Sequence, residues 1–356
     1  MRFALIGCGE IGRARAAAVE RLARSGAAGV PGARLVVVAD AARDRAEALA
    51  ARHRCRALTD GEEAARFPEA DAVIVSTPPN LHAPLALAAL RAGKPVLVEK
   101  PLAATLDDAR AIVAEAAARG LAVGAGFNIR HFLAFRRAHE ILASGAIGEL
   151  DHVRAVHGHP GGSEFGHAWI HDASVTGGGT LVDNGIHILD LARWFLGEVV
   201  EAKGYATGGV WKFSGCEDAA HALFRSADGK IATVRSSWTE WQGYGFAVEA
   251  YGTRGMVRAS YPPMMLRVAT AERDGSPIRR RTEIFPAFQI AERMRSWRWT
   301  LVESLAAEMA EFVSAIAAGR DPSPSGRDGL RALEMAHAVY RSSESGETVG
   351  MNEGVS

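Results

Sequence analysis

Arg2-Phe3-Ala4-Leu5-Ile6-Gly7-Cys8-Gly9-Glu10-Ile11-Gly12 decides how the chain is read. An apolar run that stops at a glycine reads as a strand, and Ile11–Ser25 carries apolar residues at helical spacing. The glycines therefore sit between a strand and a helix, where their spacing has mechanical meaning. Gly7 permits the tight turn, Gly9 lets backbone approach a pyrophosphate, and Gly12 lets the helix pack on the strand. Glu10 and Ile11 open the helix, whose free N–H groups suit phosphate oxygens. Among 38 glycines such a pattern alone is weak, but its place after a first strand makes it specific.

The next strand, Leu35–Ala39, ends at Asp40, an acidic residue placed to accept hydrogen bonds from adenosine ribose hydroxyls. A carboxylate there repels a 2′-phosphate and favours NAD over NADP. Arg43 pulls the other way, because a guanidinium accommodates phosphate or stacks on adenine. The plain alternative makes Asp40 a cap for the helix Ala42–His53. The loop at 26–33 accounts for the long spacing from Gly7 to Asp40.

Further strands at Ala72–Ser76, Pro95–Val98 and Ala122–Ala125 alternate with helices at Leu81–Ala92 and Thr105–Arg119. Such alternation requires a parallel sheet with crossover helices. After residue 128 the pattern changes: a helix to Ala143, a strand near Glu149–His159, a Gly- and His-rich loop, and a helix Ile186–Phe195. Closely joined β-runs then reach Phe285, with turns such as Ala227-Asp228-Gly229 and Arg273-Asp274-Gly275, and read as antiparallel. Two amphipathic helices, Leu301–Ala318 and Asp328–Ser342, close the chain. The expected fold is α/β plus α+β: a Rossmann domain over 1–127, then an open, mainly antiparallel β-sheet domain with flanking helices over 128–356.

Composition agrees with a folded, two-domain protein. At roughly 150 residues per domain, 356 residues suggest two, and 48% hydrophobic with 23% charged residues suffices for two cores. Lys plus Arg and Asp plus Glu are 41 each, so no net field draws nucleic acid or an anionic membrane. Cys8, Cys55 and Cys216 are odd in number and far apart, which argues against a disulfide framework and for a reducing cytoplasm. No apolar run is long enough to span a bilayer, and the N-terminus lacks a signal-peptide pattern.

Three separated motifs carry a family likeness. Ser76-Thr77-Pro78-Pro79-Asn80-Leu81-His82, then Gly93-Lys94-Pro95-Val96-Leu97-Val98-Glu99-Lys100-Pro101, then Gly177-Gly178-Gly179-Thr180-Leu181-Val182-Asp183-Asn184-Gly185-Ile186-His187 resemble the Gfo/Idh/MocA oxidoreductases. The likeness runs essentially end to end. It implies a cleft between the two domains in which a secondary alcohol of a sugar, sugar derivative or cyclitol gives hydride to NAD. His187 takes the hydroxyl proton, Lys100 stabilises the alkoxide, and Asp183 holds the set in register. Ser76, Thr77, Asn80 and His82 would line the cofactor, Glu99 would contact the nicotinamide ribose or be structural, and Asn128 and Arg130 would touch nicotinamide or substrate. A cis bond before Pro101 and a homodimer or homotetramer through the sheet domain are also implied.

The residues themselves allow this chemistry. Lys100 lies just past a parallel strand, where open α/β sheets bind ligands. Asp183 and His187 stand four apart at a helix start, on one face, and an imidazole takes protons near neutrality. The competing reading is a helix cap and a core histidine. Gly177–Gly179 favours the functional one if backbone must lie against a ligand. His152, His157, His159, His167 and His171 with Asp172 raise a zinc site, but the segment has no helical pattern and no Glu beside the first histidine, so no metal is expected. A substrate wall of His159, Trp169, His171 and Asp172 fits better. Arg279-Arg280-Arg281 reads as a solvated face, and Phe285–Trp299 as neither strand nor helix. Two other functions share the fold: glycosidic cleavage assisted by a bound NAD, and a nucleotide-sensing regulator without turnover.

Overall fold

Strand β1 (Arg2–Ile6) is buried along nearly its whole length, because it is covered on both faces, as its unbroken apolar sequence requires. The computed structural model describes residues 1–25, 32–161, 168–271 and 277–351. The loop at 26–31, His167 and the turn at 273–275 lie outside the described residues. The chain divides into two units, Met1–His131 with Ala291–Leu330, and Phe132–Ile290 with Arg331–Ser356.

In the first unit, β1 is followed by α1 (Glu10–Ser25), β2 (Arg34–Ala39), α2 (Arg43–His53), β3 (Arg56–Leu58), α3 (Gly61–Ala65), β4 (Ala72–Val75), α4 (His82–Arg91), β5 (Val96–Val98), α5 (Leu106–Arg119) and β6 (Val123–Ala125). The six strands run parallel in the order β3-β2-β1-β4-β5-β6. Strand order reverses between β1 and β4, and open α/β sheets bind ligands beyond the C-terminal ends at such a reversal. Strand β3 and helix α3 were not expected from the sequence. Three half-exposed residues in β3 and five in α3 are too short to show a period.

Further on in the second unit come α6 (Leu133–Ala143), β7 (Leu150–Gly158), α7 (Ala173–Thr176), α8 (Gly185–Leu196), β8 (Val199–Thr207), β9 (Ala219–Ser226), β10 (Ile231–Ser237), β11 (Gly245–Gly252), β12 (Gly255–Tyr261), β13 (Met265–Thr270) and β14 (Arg279–Ile284). The closing elements are α9 (Pro286–Arg295), α10 (Trp297–Ala318), α11 (Gly326–Ser345) and β15 (Val349–Gly350). Helices α9 and α10 replace the indeterminate segment expected around Phe285–Trp299. Helix α9 buries none of its residues, and its apolar Ile290 and Met294 stand 60% and 79% exposed.

Nine strands of the second unit form one sheet, β14-β13-β12-β11-β7-β10-β9-β8-β15. All its neighbours are antiparallel except β7 and β10, which run parallel. Strands β10 and β11 follow one another in sequence yet flank β7, so one runs with it and the other against it. Side chains alternate along β9 and β10: Ala220, Ala222, Phe224, Ala232 and Val234 are buried, while Leu223 and Ile231 face outward and are half exposed. Small alanines on the inner face leave room for α8, whose Ile188, Leu189, Leu191 and Ala192 are fully buried.

Helix α10 belongs to the first unit, whereas the cut expected at 127/128 put it in the second. Packing explains the return. Leu305, Met309, Phe312 and Val313 join one core with Phe3, Leu5, Leu22, Val38 and Ile74. Each such burial contributes roughly 1.5–3 kcal/mol, and Gly124 of β6 has no side chain because a Cβ there would come within 3.0 Å of Phe312.

Candidate active site

The glycines after β1 divide their tasks. Gly7 has φ +95°, and a Cβ on it would lie 2.4 Å from the Ser76 carbonyl oxygen. One on Gly12 would lie 1.9 Å from the Gly7 carbonyl oxygen, so this glycine seals α1 against the turn. A Cβ on Gly9 would meet nothing within 4 Å. Protein packing thus demands Gly7 and Gly12 but leaves open space at Gly9, the shape a cradle for a bound group requires. The side-chain hydroxyls of Ser76 and Thr77 are buried with no hydrogen-bond partner among the described residues. Buried polar atoms are normally paired, and these two, beside Gly7, suit a polar ligand. Ile11 and Asn80 are exposed, as ligand-facing residues must be. Glu10 is exposed as well and accepts a hydrogen bond from Arg298 at 3.1 Å.

Gly9→Ala separates the two roles. We expect unchanged or slightly raised thermal stability, since Ala meets no atom there, with NAD affinity lowered at least about tenfold, or 1.4 kcal/mol. Thermal melts and titration of NADH fluorescence read the two quantities. Unchanged affinity would mean that no phosphate approaches Gly9.

Asp40 does more than face outward. Its carboxylate accepts the Cys8 N–H at 2.8 Å and the Ala42 N–H at 2.9 Å, which ties the glycine turn to the start of α2. Ala42, not Asp40, is the N-cap of that helix. Two bonds leave acceptor capacity for ribose hydroxyls. Burial, with Asp40 adding to it, pushes the Cys8 thiol up to about 12, so it stays protonated and inert. The exposed Arg43 guanidinium lies 3.7 Å from Glu47.

Lys100 stands two residues beyond β5, on the C-terminal edge of the sheet where the cradle opens, and the Lys100–Pro101 peptide is cis. Its neighbours are support. The Glu99 carboxylate accepts from Arg15 at 2.6 Å, and Arg15, fully buried, also pairs with Glu308. Burial works most strongly against the Arg15 charge, yet Glu308 and Glu99 outweigh it and raise the guanidinium above its ordinary value. The triad itself was not visible from sequence, where Glu99 stood as a ribose contact or a structural residue, and the pairing with Arg15 is structural. His82, expected to line the cofactor, is instead fully buried, with Nδ1 2.8 Å from the Pro101 carbonyl and Nε2 2.8 Å from that of Thr77. Burial lowers its pKa against the pull of both carbonyls, and a neutral ring donates to only one of them. It braces the loop from behind. Asn128 donates to Ser304 at 2.8 Å, and Arg130 pairs with Asp328 at 3.3 Å; both are buried, so each supports the first unit with at least part of its polar head.

In the second unit, α8 begins at Gly185 just past Asp183, and His187 lies in its first turn, buried to 8% exposure. Asp183 is partly buried and accepts from the Asn184 side chain at 3.1 Å. Asn184, not Asp183, occupies the N-cap position. Asp190, one turn on and also buried, escaped the sequence reading. The triple glycine has a cause other than close ligand approach. Gly177 is a left-handed helix end, a Cβ on Gly178 would strike the Tyr340 hydroxyl at 2.3 Å, and one on Gly179 would strike the Glu217 backbone at 2.2 Å. Glu217 and Tyr340 had no motif to announce them.

The histidine-rich segment is held largely by its own chain. His159 is buried and its Nδ1 accepts the Gly161 N–H at 3.1 Å, which places the ring proton on Nε2 in the neutral form. His171 stacks on Phe213 at 3.9 Å, and Trp169, about one-third exposed, shares the short helical turn Ala168–His171 with it. Asp172 caps α7 through the Ser174 N–H at 2.9 Å, and its hydrogen bonds to Ser174 hold the carboxyl below its ordinary value. That cap accounts for Asp172 without a substrate. Among the described residues no group of three His, Cys, Asp or Glu is placed to hold a metal ion.

Comparison with known proteins gives these geometries their context. Residues 1–127 match the oxidoreductase family with an NAD-binding Rossmann fold, GFO_IDH_MocA, and residues 135–258 match the GFO/IDH/MocA C-terminal domain. Inositol 2-dehydrogenase of Rhizobium meliloti (strain 1021) is 33% identical over 351 residues, 96% of each chain. The 1,5-anhydro-D-fructose reductase of Ensifer adhaerens is 30% identical, over 84% of this chain and 85% of that protein. GenD2 from gentamicin A biosynthesis, solved in complex with NAD, superposes with a TM-score of 0.81 at 28% identity, covering 99% of this chain and 96% of that one. Likeness that runs in order through both units leads to one conclusion: the chain belongs to the Gfo/Idh/MocA family and is an NAD-dependent oxidoreductase of CH–OH groups.

Proposed function

We propose that the protein interconverts a secondary hydroxyl and a ketone on a sugar, sugar derivative or cyclitol. One observation carries the reading: Lys100 and the open Gly9 cradle lie at the same edge of one sheet, so a lysine ammonium and a dinucleotide site share a side of the first unit. The inositol and anhydrofructose enzymes among the relatives support the substrate class.

Bound NAD supplies the hydride acceptor. Gly7, Gly9, Gly12, Ser76 and Thr77 would hold it, and the Asp40 carboxylate would take the ribose hydroxyls and disfavour a 2′-phosphate. His187 removes the hydroxyl proton as hydride leaves the same carbon. Lys100 donates a hydrogen bond to the oxygen as its charge grows, and Asp183 orients substrate and base. The reading requires Lys100 and His187 to act on one carbon. Trp169 and Arg130 would complete substrate recognition.

We also propose self-association through the outer sheet face, where Tyr205, Leu223 and Ile231 are 60%, 51% and 47% exposed. Three free thiols suit a reducing cytoplasm. The test is NADH formation, followed by near-ultraviolet absorbance, across inositols, aldoses and nucleotide sugars. Stoichiometric NADH with at least one polyol is expected. Glycoside cleavage without net NADH, or NAD binding with no turnover on any polyol, would replace this reading by cofactor-assisted cleavage or by nucleotide sensing.

A further inference from the structure

Three successive amides of the turn that leads to Asp183 are held by one residue. The Glu217 carboxylate accepts the Gly179 N–H at 2.8 Å and the Leu181 N–H at 2.7 Å, while the Glu217 backbone carbonyl accepts the Thr180 N–H at 3.0 Å. Tyr340, from α11, donates its hydroxyl to the same carboxylate at 3.1 Å. The turn in turn starts the helix: Asp183 N–H donates to the Gly179 carbonyl at 3.0 Å, and Gly185 N–H to that of Thr180 at 2.8 Å. Gly178 and Gly179 are the only residue type that fits against Tyr340 and Glu217 at these distances.

We infer that Glu217, supported by Tyr340, is a positioning residue for the reaction: it sets the backbone from which Asp183 and His187 project. This inference rests on the catalytic assignment of Asp183 and His187 proposed above. A carboxylate is the group that does this, because its two oxygens reach two N–H donors two residues apart and are both acceptors. Burial raises the carboxyl of Glu217 against those hydrogen bonds and holds the Tyr340 phenol well above its ordinary value, so the phenol keeps the proton it donates. An anion and three donors enclosed in protein make a stiff frame, since any displacement strands a buried polar group.

Glu217→Gln keeps the shape but turns one acceptor into a donor facing a backbone N–H. With the fastest polyol of the panel, kcat is expected to fall about tenfold while KM and the Kd for NAD stay within about twofold. Because Glu217 acts through Asp183, the double variant Asp183→Ala/Glu217→Gln should be no slower than Asp183→Ala, within about twofold. Tyr340→Phe removes only the hydroxyl and serves if Glu217→Gln does not fold; its kcat should fall about threefold at unchanged KM. Wild-type kcat in the folded Glu217 variant, or in Tyr340→Phe where that variant alone folds, overturns the inference if Asp183→Ala is inactive. So does a loss that multiplies with that of Asp183→Ala. Full activity of Asp183→Ala, or no turnover with any polyol, overturns the catalytic assignment and the inference with it.

Discussion

In a His187→Ala variant, kcat is expected to fall by about 10²–10⁴, the range for losing a general acid–base group. The Kd for NAD should stay within about tenfold, or 1.4 kcal/mol. His187 sits in the first turn of α8 at 8% exposure, and alanine there removes one imidazole while the fully buried Ile186, Ile188, Leu189 and Leu191 still anchor the helix. The cofactor cradle belongs to the other unit and keeps all its atoms. Lys100→Ala should show the same pattern, since the lysine follows β5 and contributes nothing to the hydrophobic core of its unit. Steady-state rates with NADH titration in parallel decide the matter. Equal activity in either variant removes that residue from the mechanism, and loss of NAD affinity with intact kcat would make it a cofactor ligand only.

Arg15→Met is expected to destabilise the protein by about 3–5 kcal/mol, the cost of removing one partner from a buried ionic group. Arg15 is wholly enclosed, and Glu99 and Glu308 on either side of it are 9% and 2% exposed. Without the guanidinium, two carboxylates face each other across a cavity lined by protein, and at least one must take up a proton or draw in water. Chemical denaturation followed by circular dichroism measures the loss. Arg15→Met combined with Glu99→Gln and Glu308→Gln should recover most of it, because no uncompensated charge remains. A single variant as stable as the parent would show that the carboxylates find another counter-charge.

Much of the fold was legible because burial leaves a pattern. Unbroken apolar strands, helices with a three-to-four repeat, and a glycine turn after β1 announced the parallel sheet, and β-runs joined by short turns such as Ala227-Asp228-Gly229 announced the second one. Lys100, Asp183 and His187 were legible as motifs only through the family likeness. What escaped has a common physical origin: partners far apart in sequence. Arg15 meets Glu99 across 84 residues and Glu308 across 293, and Tyr340 meets Glu217 across 123. Nothing local marks a charged residue as destined for burial. Asn128 read as a ligand contact for the same reason, its partner Ser304 being 176 residues away, whereas His82 was misjudged although Thr77 and Pro101 lie close by in the chain.

Neither unit is one continuous stretch, for the chain passes from the first to the second, back with α10, and across again within α11. A gene cut once, anywhere, leaves no piece that holds one whole unit and nothing of the other. Recombination that trades substrate modules among relatives must therefore move three junctions together, near 131, 290 and 330. Inheritance of the two halves as a set is built into the threading of the polypeptide.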